Sequence, residues 1–172
     1  MNHTARHCAA FSLIELLVSL AIIAVLAALS FVSYPLVMEK TRSTACASNL
    51  RQMGAALHAY VADHEQRMPN VIDQNFREIL EPYADTGNIF MCPSDPHRKW
   101  GDGSSYQWIE GLSGQLFTSL KLGDDEMVLE NAHDIPVACD KGSWHRLQIK
   151  PSRKNGEEAG FNYLYADGSV GN

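Results

Sequence analysis

The pattern of apolar and polar positions divides the chain into one long apolar run and a longer, mostly polar remainder. No residue from Leu16 to Met38 carries a charge, and Glu15 stands immediately before this run. As a helix the run rises by about 34 Å, which is enough to cross a hydrocarbon core of about 30 Å. It is too long for a secretory signal peptide, whose apolar core is about 7–15 residues. Arg6 and the terminal amine form a basic flank, which predicts a single-pass helix with the remainder outside the cytoplasm.

A second periodic pattern follows the apolar run. Apolar or aromatic residues recur at steps of three and four, which is the spacing of one helix face. The members of this stripe are Cys46, Leu50, Met53, Leu57, Tyr60, Val61 and His64. The pattern predicts one continuous helix from about residue 12 to about residue 66, stopped by Pro69 and Asn70. Pro35 lies inside it and marks either a kink or the end of the membrane span.

Residues 67–172 predict a small head in which turns separate short apolar runs. The runs at 88–92, 106–109, 127–129, 136–139, 147–149 and 161–165 predict strands of an antiparallel sheet. A short helix is predicted at 75–83, with Asp73 as its cap. The predicted fold class is therefore α+β: a long N-terminal hydrophobic helical spine carrying a small antiparallel-sheet head.

The charge of the chain argues against nucleic-acid binding, and its motifs argue against an enzyme. The net charge is −6, the pI is about 5.6, and no stripe of Lys and Arg is visible, which argues against binding nucleic acid through its phosphates. Ser143, Asp140 and His145 could be written as a catalytic triad. The chain has no nucleophile elbow, phosphate-binding loop or zinc-protease motif, so we expect no enzyme and a structural role for His145.

The segment around Glu15 carries the most specific signal in the chain. Residues 10–18 read AFSLIELLV, which resembles the processing site of type IV pilins and type II secretion pseudopilins. The resemblance implies cleavage by prepilin peptidase between Ala10 and Phe11 and N-methylation of Phe11. Family members usually have Gly before the cut, where this chain has Ala10. The implied divisions are a leader at 1–10, a transmembrane and filament-core helix at 11–38, its amphipathic half at 39–66 and a globular head at 67–172.

Cleavage would explain why an apolar helix begins with a carboxylate. Ionisable groups within a membrane usually have a partner. The cut creates an ammonium at Phe11, and in a stack of helices Glu15 of one subunit can meet the Phe11 amine of its neighbour. Such a pair is strongly attractive at low dielectric, and either charge left unpaired is costly. Glu15 and Phe11 are therefore predicted to set the axial register of assembly.

The resemblance also predicts function, partners and location. It implies a pilin-like filament subunit, with a type II secretion pseudopilin as the preferred assignment. Its partners would be further copies or related subunits, prepilin peptidase, the inner-membrane assembly platform and the membrane itself. It would sit in the bacterial inner membrane by a single pass, with the head in the periplasm or at the cell exterior. The alternative is a monomeric, single-pass, membrane-anchored binding or sensor domain.

Motifs in the amphipathic half of the helix and in the head extend the resemblance to a pseudopilin-like group. They are SNLRQ at 48–52, CPSDP at 92–96, SY at 105–106, DK at 140–141, WH at 144–145 and NYLYADGSV at 162–170. Members of that group end with a His that nine residues separate from an Asp-Gly pair. Here an insertion separates His145 from Asp167, and Ser169 follows Gly168 where the group usually has His.

Two further predictions concern cofactors and cysteines. Asp167-Gly168 predicts a turn, and the alternative is a calcium loop, because major pseudopilins can hold calcium near their C-terminus. Asp95 and Asp167 are the candidate ligands, with Asp102, Asp124 and Asp125 as further oxygens, and no other cofactor is expected.

Four cysteines are present, and Cys8 would leave with the leader. Outside the cytoplasm the remaining three permit one disulfide. Cys46–Cys92 would pin the head to the helix, whereas Cys92–Cys139 would join two strands. We predict a bridge that includes Cys92, with Cys139 as its preferred partner. The absence of CxxC pairs argues against zinc.

Overall fold

The computed structural model describes residues 12–71, 75–85, 87–97, 100–109, 111–122, 125–145 and 160–171. The chain divides into two compact units, Met1–Met38 and Glu39–Asn172. The architecture is α+β and pilin-like, with a long apolar N-terminal helix and a small antiparallel sheet, which confirms the predicted fold class.

One helix, α1 (Leu13–Asp63), contains both the apolar run and the amphipathic stripe and continues through Pro35. It ends three residues before the predicted position. Glu65 and Gln66 have φ angles of 52° and 60°, and this left-handed turn takes the chain out of the helix. The amide of Gln66 donates to the carbonyl of Val61 at 3.0 Å, which satisfies a carbonyl of the last turn.

The second half of α1 presents the predicted stripe to the head. The buried apolar residues of this half of α1 are Cys46, Leu50, Met53, Ala56, Leu57 and Val61. Tyr60 is half-buried and His64 is exposed, and their rings stack with centroids 3.8 Å apart. The stripe therefore begins in the core and ends in an aromatic pair at the surface.

The sheet of the head has four short antiparallel strands in the order β1-β4-β5-β6. These are β1 (Tyr106–Trp108), β4 (Pro136–Asp140), β5 (Tyr163–Tyr165) and β6 (Val170–Gly171). A separate hairpin pairs β2 (Ser119–Leu122) with β3 (Asp125–Val128). Every residue of β4 is buried, as expected for a central strand covered on both faces.

Several local predictions differ from the structure. The run at 88–92 is not a strand, because its first part forms a 3-10 helix, Gly87–Phe90. The short helix is α2 (Phe76–Leu80), continued by a 3-10 turn, Glu81–Tyr83. Its cap is Asn75, whose side chain accepts the amide of Arg77 at 3.0 Å. The predicted cap, Asp73, and the predicted strand at 147–149 lie outside the described residues.

The C-terminal Asp-Gly turn approaches α1 where the helix has a glycine. A Cβ on Gly54 would lie 2.9 Å from Leu164 Cδ1 and 3.3 Å from Gly168 Cα. Gly168 has a φ of 82°, and its amide donates to the carbonyl of Tyr165 at 2.9 Å. Gly54 therefore makes room for the turn that joins β5 to β6.

We expect Gly54→Val to destabilise the head by about 1–3 kcal/mol, because overpacking outweighs the gain in helix propensity. Urea unfolding followed by tryptophan fluorescence measures the change. Ala55→Val is the matched control, because Ala55 is exposed on the same turn and its substitution should shift stability by about 0.5 kcal/mol at most. Equal stability of the two variants would contradict the close-packing argument.

Candidate functional site

The first turn of α1 places Glu15 at the start of the apolar helix. The amides of Glu15 and Leu16 donate to the carbonyl of Ser12 at 3.1 and 3.3 Å, which fixes this turn. A carboxylate in a first turn interacts favourably with the helix dipole, and Glu15 is exposed. Ala10 and Phe11 lie outside the described residues, so the cut between them and the pairing with Glu15 stay predictions.

The residues that follow Glu15 form a continuous exposed apolar surface. The segment Leu13–Phe31 is long and apolar enough to cross a membrane by length and composition, and none of it is buried. Leu13 is 83% exposed and Phe31 is 82% exposed. Apolar surface of this extent marks a site of contact with lipid or with other apolar surfaces. The segment is thus compatible with a single-pass membrane anchor.

Residues 5–31 match the family model described as the prokaryotic N-terminal methylation motif. The chain carries this methylation motif. The match covers both sides of the predicted cut and the exposed apolar helix, and it is consistent with the type IV pilin and pseudopilin family. It supports a pilin-like subunit that prepilin peptidase processes. A search of curated proteins and a search of solved structures gave no match.

The SNLRQ motif of α1 and the SY motif of the head meet at Asn49 and Tyr106. Asn49 Nδ2 donates to the carbonyl of Met91 at 3.0 Å and to the Tyr106 hydroxyl at 3.4 Å. The Tyr106 hydroxyl in turn donates to the carbonyl of Cys46 at 3.4 Å. Burial, and then the charge of Asp140, raises the pKa of Tyr106, which keeps this hydroxyl a donor. Two motifs that lie far apart in sequence, together with the carbonyls of Cys46 and Met91, therefore form one junction between α1 and β1.

Asp95 stabilises the loop at residues 92–97, which we call the Cys92 loop. Its Oδ1 accepts the amide of His97 at 2.8 Å, and its Oδ2 accepts Trp100 Nε1 and Ser105 Oγ, both at 2.7 Å. The side chain is almost completely buried. These bonds give the Asp of the CPSDP motif and the Ser of the SY motif a joint structural role.

Asp167 occupies a different turn, between β5 and β6. It is exposed, and its Oδ1 accepts the amide of Ser169 at 2.8 Å, as the predicted Asp-Gly turn requires. Within the described ranges, neither Asp95 nor Asp167 belongs to a cluster of three residues able to hold a metal ion. Calcium binding by this pair stays a prediction.

The disulfide joins Cys46 of α1 to Cys92, with their Cα atoms 5.0 Å apart. The predicted Cys92–Cys139 pairing is therefore wrong, although the bridge does include Cys92. Successive residues of a strand point to opposite faces. Asp140 faces His145, so its neighbour Cys139 points the other way and accepts Gln107 Nε2 at 3.3 Å.

A buried polar cluster surrounds this disulfide. We call it the His145 cluster, and its members are Glu39, Cys46, Cys92, Asp140, His145 and Asn162. His145 Nε2 lies 3.3 Å from Asp140 Oδ2 and 3.7 Å from Cys92 Sγ. His145 Nδ1 lies 3.9 Å from Glu39 Oε1. Asp140 Oδ2 accepts the backbone amide and the side-chain amide of Asn162 at 2.8 and 2.9 Å.

The cluster does not resemble a catalytic triad. Asp140 and His145 are adjacent and both are fully buried, whereas Ser143 is exposed. No hydrogen bond in the described part of the chain joins Ser143 to His145. A nucleophile would also have to reach a substrate, and a histidine with no exposed surface offers none.

The head contains an open cavity of about 880 Å³. Phe76 and Trp108 supply aromatic walls, and Asp102 and Lys141 are its charged lining residues. Lys141 Nζ donates to Asp102 Oδ2 and to the carbonyl of Ser104. These two charges pair with each other, so the described lining residues offer mainly apolar and hydrogen-bonding contacts.

Proposed function

We propose that this protein is a subunit of a pilin-like filament and that it assembles through the apolar half of α1. One observation carries the proposal: the methylation motif at residues 5–31 leads into an exposed apolar helix with Glu15 in its first turn. A helix that only anchors a domain has no need of a carboxylate at this position. A filament subunit needs one, because a buried charge pair fixes how far neighbouring helices are offset.

The proposed sequence of events begins at the inner membrane. Arg6 and the leader stay on the cytoplasmic side, and the head emerges on the periplasmic or exterior side. Prepilin peptidase cuts between Ala10 and Phe11, and Phe11 is N-methylated. Apolar helices then leave the lipid and pack against each other, which exchanges lipid contacts for helix contacts at little hydrophobic cost. Contacts between apolar helices alone would not fix their axial offset, and the Glu15–Phe11 pair sets that offset.

Within the pilin-like class, we propose a type II secretion pseudopilin. The motifs at 48–52, 92–96 and 105–106 support this assignment. They resemble a pseudopilin-like group, and hydrogen bonds from Asn49 to Tyr106 and from Ser105 to Asp95 join them. The partners would be other pilin-like subunits and the assembly platform of the inner membrane. The proposed role is structural rather than enzymatic.

Mass spectrometry of the protein purified from membranes tests the processing step. We expect a chain that begins at N-methylated Phe11 and lacks residues 1–10. Ala10→Gly is a matched variant that restores the residue usual before the cut, and it should be processed at least as completely. A chain that begins at Met1 would favour a monomeric anchored domain instead. Deleting the gene and measuring secreted enzymes then separates a secretion role, in which export fails, from a surface pilus, in which it continues.

A further inference from the structure

Three members of the His145 cluster have the spacing of a metal site. Cys46, Cys92 and His145 each present one ligand atom, these atoms all lie within 4.8 Å of one another, and all three residues are buried. Zinc takes four ligands in a tetrahedron, with bonds of about 2.3 Å to sulfur and about 2.0–2.1 Å to nitrogen or oxygen. These bonds set ligand-to-ligand edges of about 3.6 Å for sulfur to nitrogen and about 3.3 Å for nitrogen to oxygen. The observed edges from His145 Nε2 are 3.7 Å to Cys92 Sγ and 3.3 Å to Asp140 Oδ2.

Glu39 and Asn162 hold the candidate ligands His145 and Asp140 in the way that hydrogen-bond partners of metal ligands usually do. A metal-binding His commonly directs its second ring nitrogen at a carboxylate, which fixes the tautomer. Here Glu39 Oε1 faces His145 Nδ1, so a proton on Nδ1 leaves the lone pair of Nε2 directed at the two sulfurs and Asp140. Asn162 holds the Asp140 carboxylate through two hydrogen bonds.

The cluster also leaves buried polar atoms without partners. Glu39 Oε1, Asp140 Oδ1, His145 Nδ1 and Asn162 Oδ1 are buried and form no hydrogen bond in the described structure. A buried polar atom left unsatisfied costs about 1–3 kcal/mol, and native structures hold few of them. Four such atoms in one cluster indicate that the cluster is suited to more than the disulfide alone. A cation beside the Asp140 carboxylate, with a proton on His145 Nδ1 shared with Glu39, would relieve three of the four.

We propose that Cys46, Cys92, His145 and Asp140 bind a zinc-class divalent ion when the disulfide is reduced. A dithiol donor supplies the two electrons: its thiols are oxidised to a disulfide, and Cys46 and Cys92 each become a thiol. The ion then binds the two sulfurs as thiolates, and their two protons pass to water. The sulfurs move apart to the edge of about 3.8 Å that two zinc–sulfur bonds require.

The head would thus have two alternative cross-links at one place. In an oxidising compartment the disulfide ties α1 to the Cys92 loop. In the reduced chain the ion would tie the same two elements and add β4, through Asp140, and the segment that carries His145. Compartment redox state and metal supply would select between them.

Cobalt binding to the full chain in detergent tests the proposal, because Co²⁺ occupies zinc sites and its spectrum reports their geometry. After reduction with a phosphine, we expect one Co²⁺ per chain, with intense visible bands of tetrahedral cobalt and a near-ultraviolet thiolate band. Zinc should bleach both. The oxidised chain should give neither. Reduced chain without these bands would overturn the proposal.

Variants assign the ligands. His145→Ala should abolish the tetrahedral spectrum, and Glu39→Gln should weaken cobalt binding by about 10–100-fold, as the loss of an outer partner does. Cys139→Ser is the matched control, because this buried cysteine lies outside the cluster, and it should leave the spectrum unchanged. A spectrum that survives in a Cys46→Ser/Cys92→Ser chain would show that the ion binds elsewhere and would refute the assignment.

A second measurement needs no variant and so does not depend on a variant's folding. Zinc should protect Cys46 and Cys92 of the reduced wild-type chain from alkylation, with peptide mapping to report each cysteine separately. Cys139 serves as the internal reference, and its alkylation should not depend on zinc. Protection that is equal at Cys46, Cys92 and Cys139, or absent at Cys46 and Cys92, would contradict the proposed site.

Discussion

A Glu15→Ala chain is expected to enter the membrane normally and to fail in filament assembly. The substitution makes the span more apolar, so insertion should not suffer. In the assembled filament it would leave the Phe11 ammonium buried without its partner, and removing one member of a buried ion pair costs about 3–5 kcal/mol. At about 1.4 kcal/mol per factor of ten, each subunit contact weakens by more than about a hundredfold. Many such contacts act in series along a filament, so polymer should be undetectable.

Electron microscopy and shearing of cells that overproduce the system measure this loss, and membrane fractionation verifies insertion. Glu15→Gln keeps the shape of the side chain and removes its charge, and it should fail as well. Ser19→Ala is the matched control, because Ser19 lies one turn further along the exposed span and carries no charge. Its hydroxyl donates to the backbone carbonyl of Glu15 at 2.7 Å. Filaments of normal length from the Glu15→Ala chain would refute the register argument.

The helical half of this fold is predictable from sequence because helix signals are local and repeated. The uncharged run after Glu15 and the stripe from Cys46 to Val61 each extend over several turns, so a single misleading residue changes little. Only the end of α1 was misplaced. The two positive φ angles after Asp63 belong to Glu65 and Gln66, and neither residue type marks such a turn.

The head was less predictable because its elements are very short. β1, β4 and β5 each coincide with a predicted apolar run, and all three contain buried residues. β6 has two residues, too few to show any period. The run at 88–92 is apolar in the same way, yet Gly87–Phe90 forms a 3-10 helix. The prediction of a strand was wrong here because an apolar run this short does not show whether its period is that of a strand or a helix.

The His145 cluster could not be predicted from spacing at all. Its cysteines are 46 residues apart, and its histidine lies on another segment beyond β4. Local motifs such as CxxC detect only sites whose ligands share one turn. The signal that was present is indirect: Asp140, His145 and the Cys92 loop each fall in a motif of the head. Such motifs indicate that the residues matter without indicating that they meet, and only the packing of β4 against α1 brings them together.

Removing the disulfide should have the largest effect on the stability of the head. The bridge closes a loop of 46 residues, for which loop-closure entropy predicts about 4 kcal/mol of stabilisation. We therefore expect a Cys46→Ala/Cys92→Ala chain to lose about 3–4 kcal/mol of unfolding free energy, a large share of the roughly 5–15 kcal/mol typical of a domain. Urea unfolding of the full chain in detergent measures it. The three tryptophans, Trp100, Trp108 and Trp144, all lie in the head and report its unfolding.

The comparison that isolates the cross-link uses Cys139, the cysteine of the head that is not in the disulfide. Cys139→Ala removes a buried sulfur of the same size from β4 without opening a loop, so it should cost only about 1 kcal/mol. Wild-type chain treated with a phosphine and a metal chelator should lose as much stability as the double variant, because both cross-links are then absent. If the double variant unfolded at the same urea concentration as Cys139→Ala, the Cys46–Cys92 bridge would not stabilise the head. The attachment of α1 would then depend on the apolar stripe and the Asn49–Tyr106 junction alone.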